Sequence, residues 1–111
     1  MSVRALNYQV VGNGPPLLMV HGFGISFSIW ESIIPFLRPY FSLIMVELPG
    51  IGRSPMPELE QSYLDQAAVE LENMRKLLGI ERWQVLSYSS GALVAKRYLQ
   101  VYPACVNGAI F

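Results

Sequence analysis

Apolar residues along this chain follow two different periods. Four runs are short and apolar nearly throughout: 6–11 (LNYQVV), 17–20 (LLMV), 42–48 (SLIMVEL) and 82–86 (RWQVL). The first reads as a short strand; the other three suit strands covered on both faces. A fifth, 107–111 (NGAIF), reads as the start of one more strand. Between them the period changes to three and four. Ala67, Leu71, Met74 and Leu78 form one stripe on a predicted helix 63–78, with Ser62 as its cap and Gly79 at its end. Val94, Ala95, Tyr98, Leu99 and Tyr102 mark a second predicted helix, 92–102, which Pro103 stops. A third is expected from the capping box SIWE, in which Ser28 caps and Glu31 reaches back. It is expected to run to about Arg38, with Pro35 as a kink and Pro39 as the stop. The stretches 12–16 (GNGPP), 21–26 (HGFGIS) and 49–58 (PGIGRSPMPE) are glycine- and proline-rich loops.

Strand and helix therefore alternate, which predicts an α/β fold: three αβα layers around a mostly parallel sheet, with helices on both faces. The last strand begins but gains no partner from this chain in this reading. Parallel sheets are seldom left uncovered, so the pattern reads as the first half of a larger domain. Composition sharpens that point. The chain of 111 residues is 52% hydrophobic and only 14% charged, against about one-quarter charged in a typical soluble domain. Such a chain buries an unusually large core or leaves apolar surface for a partner, for which the open sheet edge is the candidate.

Other classes fall away. The formal net charge is 0 and no basic stripe is present, so nucleic acid is not expected as a partner. No apolar run approaches the roughly 18 residues of a membrane span. The opening MSVRALNYQV has no apolar leader core, which favours a cytoplasmic protein. One cysteine, Cys105, allows no intramolecular disulfide and no Cys-rich metal site; it is expected to be a buried spectator thiol.

Three segments carry candidate chemistry, each just past the carboxyl end of a predicted strand: HGFG (21–24), ELPGIGRS (47–54) and SYSSG (87–91). In this order and spacing they resemble the α/β-hydrolase family, with its HG loop, its D-x-P-G-x-G-x-S segment and its nucleophile elbow G-x-S-x-G. The likeness runs from Gly14 to Phe111 and includes GNGPPLLMVHGFG, the tryptophan of the first predicted helix and LLGIERWQVL before the elbow. It implies one partial domain over 1–111, the N-terminal half of that fold.

The resemblance implies that Ser89 is the nucleophile and that the backbone N–H groups of Phe23 and Ser90 are the oxyanion donors. Gly91 meets the elbow's demand for a small residue. Ser87 stands in place of the first glycine, and Ala92 where a second glycine is common. A plain helix cap is the alternative for Ser89. His21, the one histidine, is expected with Gly22 to organise the loop and not to act as general base. Gly50 and Gly52 read as turn glycines. Glu47, in place of the family's aspartate, reads as a loop-bracing carboxylate. Tyr88, Phe23, Phe27 and Trp30 are candidates for a substrate pocket, with core packing as the alternative.

Serine at the elbow implies acyl chemistry, carboxylic ester hydrolysis foremost, on a small-molecule acyl substrate. Family members that open epoxides or remove halides use an aspartate there. No metal or organic cofactor is implied, since a hydroxyl, a base and backbone amides suffice. The base is the difficulty. In this fold the triad runs Ser, then Asp or Glu, then His. After Ser89 the chain contains none of these residues. The 111 residues alone are therefore expected to be inactive, as part of a longer hydrolase or as a truncated product. The alternative is a non-catalytic scaffold of the same fold that binds through its open sheet edge.

Overall fold

The computed structural model describes residues 6–22, 27–50, 54 and 62–110, apart from the side chains of Phe27 and Ser28. Five strands form one sheet: β1 (Tyr8–Val11), β2 (Pro16–Val20), β3 (Ser42–Val46), β4 (Trp83–Ser87) and β5 (Val106–Ile110). Their order is β1-β3-β2-β4-β5. β1 runs antiparallel to β3, and the other three pairings are parallel. The expected three-layer, mostly parallel α/β architecture is the one observed.

The alternation along the strands divides the core in two. Leu18, Val20, Ile44, Val46, Trp83 and Val85 point to one face, where they meet α2 (Tyr63–Leu77) and α3 (Gly91–Val101). Leu17, Met19, Leu43 and Met45 point to the other, against Trp30 and the short α1 (Ile34–Leu37). β2 and β3 carry apolar side chains on both faces because both faces are covered. The predicted stripe on α2 is buried as expected at Ala67, Leu71 and Met74, and Gly79 follows with φ +70°.

Five expectations need correction. The predicted helix 28–38 is a 3-10 turn, Phe27–Trp30, followed by the single turn of α1. Pro35 lies in the first turn of α1, where its missing N–H costs nothing, so it starts a helix instead of kinking one. Ser62 occupies the N-cap of α2, yet its side chain makes no capping bond. The last strand does gain a partner: β5 pairs with β4, with a register shift at Trp83/Gln84, and most of it is exposed. Finally, Cys105 is half-buried, and its Sγ lies 3.7 Å from Glu72 Oε2.

That contact belongs to a polar cluster which joins α2 to α3. Arg75 donates two hydrogen bonds to the Glu72 carboxylate, at 2.7 and 2.6 Å, and the Tyr98 hydroxyl donates a third at 2.8 Å. Arg75 also donates to the carbonyls of Ile80 and Glu81, at 2.7 and 3.0 Å, fixing the turn into β4. The Arg75 bonds hold the Glu72 carboxyl below its ordinary range. Burial and the Glu72 bond push the Tyr98 hydroxyl up.

A depressed folded-state pKa gives stability that is complete above the unfolded value, 4.5 here, and lost as pH falls through the folded one. Both side chains of the pair are largely buried, so screening is weak. Glu72→Gln is expected to cost about 2 kcal/mol at pH 7. The difference from the parent should shrink as pH drops below 4.5. Urea unfolding at several pH values checks both points.

Candidate active site

Val46 of β3, Val20 of β2 and Ser87 of β4 lie side by side in register. The segments that begin at Glu47, His21 and Tyr88 therefore leave the sheet at one level. β2 leads to α1 on one face, and β4 leads to α3 on the other. The crevice between β2 and β4 is thus a topological switch point, the place where open α/β sheets bind ligands.

Ser89 sits at that crevice on the turn from β4 to α3. It has φ +57° and is the one non-glycine residue with positive φ among those described. A left-handed L-residue costs about 1–2 kcal/mol, so the surrounding bonds must hold it there. They do so on both sides. Tyr88 N–H donates to Val20 O at 3.0 Å, Gly91 N–H to Tyr88 O at 3.1 Å and Ala92 N–H to Ser89 O at 3.0 Å. A plain helix cap requires no such strain, and the N-cap of α3 is Ser90. Ser89→Gly is expected to raise stability by up to about 1 kcal/mol, since glycine adopts positive φ freely. An upward shift in the unfolding midpoint checks this.

Gly22 and Gly91 permit the close approach of the two loops. A Cβ on Gly22 would lie 3.0 Å from Ser90 Oγ and 3.2 Å from Ser89 Cβ. A Cβ on Gly91 would strike the His21 carbonyl and lie 2.8 Å from Val20 O. Ser87, where the family pattern has glycine, is buried, and its hydroxyl donates to Ile110 O at 3.3 Å. The small side chain is absorbed between β4 and the end of β5.

His21 is fully buried. Its Nδ1 lies 2.6 Å from Gly22 O, the geometry of an Nδ1–H donating to the carbonyl. Burial pulls its pKa below 6.5, opposed by the Gly22 bond and by the charge of Glu47. A neutral ring locked onto its own loop results. Glu47 is also buried. Its Oε1 accepts from Asn7 Nδ2 at 2.7 Å, and its carbonyl accepts from Ser54 Oγ. Ser54 Oγ in turn accepts from Asn7 N–H at 2.9 Å. This web ties the start of β1 to the loop after β3, as expected of a bracing carboxylate. Gly50 has φ +78°, as expected of a turn glycine.

Trp30 is buried in the core on the α1 face, not in a pocket, whereas Tyr88 is half-exposed beside Ser89. Phe23, Gly52 and the side chain of Phe27 lie outside the described residues. Among the described residues no group of three metal-ligating side chains occurs, and no helix is long and apolar enough to cross a membrane. A shallow groove lined by Val10, Pro16, Ser42, Ile44, Leu78 and Ile80 lies at the other end of the strands, away from Ser89.

This geometry has close relatives. The pimeloyl-[acyl-carrier protein] methyl ester esterase of Legionella pneumophila (strain Corby) is 35% identical over 99 residues, which cover 86% of this chain and 36% of that protein. The enzyme of the same name from Yersinia pseudotuberculosis (serotype O:1b) is 32% identical over 114 residues, covering 97% and 40%. Among solved structures, a marine microorganism esterase superimposes with TM-score 0.88 at 25% identity, over 96% of this chain and 40% of that one. The chain thus spans well under half the length of these relatives. The sequence profile of the alpha/beta hydrolase fold matches residues 15–111, and the chain belongs to that family.

Proposed function

We propose that this chain carries the nucleophile half of a serine ester hydrolase. The observation that carries the reading is Ser89, held in a left-handed turn at the switch-point crevice with Gly22 pressed against it. Strain of this kind persists where the exposed hydroxyl is needed. Ser89 Oγ attacks the carbonyl carbon of an ester. The negative charge that develops on the carbonyl oxygen is met by the backbone N–H groups of Ser90 and Phe23. The substrate is a small-molecule acyl ester; the relatives are named as esterases, of a methyl ester carried on an acyl-carrier protein.

The proton on Ser89 requires a base, and residues 90–111 hold no Asp, Glu or His. His21 is a poor candidate: its ring is buried and its Nδ1 is engaged with Gly22 O. Its role is to brace the loop that bears Gly22 and Phe23. The acid and base therefore come from outside these 111 residues.

Two preparations test this. The 111-residue polypeptide is expected to hydrolyse p-nitrophenyl butyrate no faster than buffer. A chimera in which it replaces the matched stretch of the Legionella pneumophila esterase is expected to hydrolyse it in a Ser89-dependent way. A folded chimera without turnover would favour the non-catalytic scaffold. Turnover by the short polypeptide that vanishes in Ser89→Ala would instead make His21 the base.

A further inference from the structure

We propose that Tyr88 selects the acyl group, its ring forming a wall that favours short acyl chains over long ones; this rests on the reading of Ser89 as nucleophile. Along β4, Trp83 and Val85 face α2 and α3, while Leu86 packs on the opposite face in the cluster that holds Trp30. Tyr88 continues the Leu86 side of this alternation. Its ring meets that of Trp30 edge-on, with centroids 6.5 Å apart and planes at 75°. The phenol therefore rises at the carboxyl end of the sheet, on the face away from α3, one residue before Ser89.

Its freedom is small. The Tyr88 N–H is bonded to Val20 O and its carbonyl to Gly91 N–H. The backbone is thus fixed on both sides, and a buried indole supports the ring from one edge. Yet the residue is 49% exposed, whereas Trp30, Trp83 and Tyr98 are buried. An aromatic whose backbone is fixed and whose ring is left half-uncovered adds little to the core. Its free face offers apolar area and a fixed boundary to a carbon chain attached at Ser89. Acyl groups that end within reach of the ring gain contact, and longer ones meet it as an obstacle.

The test uses the chimera and compares kcat/KM for p-nitrophenyl acetate, butyrate and octanoate. Tyr88→Ala is expected to raise the octanoate-to-acetate ratio by about tenfold or more, and Tyr88→Phe to keep it within about twofold of the parent. Should the alanine variant lose its fold by circular dichroism, Tyr88→Leu is read in the same way. A ratio that stays flat, or an equal fall for all three esters, overturns the assignment. Where parent turnover is lost in Ser89→Ala but the ratio is flat, Tyr88 alone fails. A folded chimera without Ser89-dependent turnover removes the underlying reading and this proposal with it.

Discussion

Ser89→Ala in the active chimera is expected to lower kcat by about 10⁴- to 10⁶-fold, with KM little changed. The loss is this large because the covalent route disappears altogether. What remains is binding and the oxyanion donors, which by themselves sustain about 10³- to 10⁴-fold over water in serine hydrolases. Alanine keeps a Cβ and hence keeps the strain of φ +57°, so the unfolding midpoint should not move. That pairing of results is informative. A helix cap replaced by alanine loses about 1 kcal/mol of stability and no specific activity. A nucleophile replaced by alanine does the reverse. Comparison with Ser89→Gly completes the argument: glycine abolishes turnover equally but relieves the strain, so only the glycine variant should be more stable. Labelling by a fluorophosphonate should be lost in both variants. Turnover of Ser89→Ala within tenfold of the parent would mean that another group attacks the ester.

Much of this arrangement is legible in the sequence, because the signals concerned are local. LLMV and SLIMV declare themselves as central strands since both of their faces are covered. The order of the strands has no such signal. β1 lies antiparallel beside β3 through partners such as Tyr8 and Val46, far apart in the chain. The first helix is not legible locally, because a capping box and a stop at Pro39 give its ends, while Pro35 between them serves equally as kink or start. The Glu72 cluster is harder still. The spacing from Glu72 to Arg75 suggests an ion pair, but Tyr98 lies 26 residues away and Cys105 lies 33 away. No local pattern brings them together. At the elbow, the need for a small residue at Gly91 is readable from the motif. Its cause lies across the crevice, in the His21 carbonyl.

That cause makes Gly91→Ala the more telling of the two elbow substitutions for stability. Gly91 is the first residue of α3, and glycine inside a helix is ordinarily about 1 kcal/mol worse than alanine. Propensity alone therefore predicts a gain. Packing predicts the opposite. The added Cβ would strike the His21 carbonyl oxygen, lie 2.7 Å from the carbonyl carbon and stand 2.8 Å from Val20 O. All three atoms are backbone. Val20 O is already fixed by the Tyr88 N–H, and Gly22 O by the His21 ring. Neither loop can withdraw without breaking one of these bonds. Overpacking costs about 1–3 kcal/mol where side chains can yield, and more where they cannot. Gly91→Ala is thus expected to lose about 3 kcal/mol or more in urea unfolding. Gly79→Ala offers the contrast: Gly79 has φ +70° but nothing within 4 Å of the new Cβ, so only backbone strain of about 1 kcal/mol applies. A neutral or stabilising Gly91→Ala would mean that the two loops do not meet as described, and the crevice that brings Ser89 beside Gly22 would have to be redrawn.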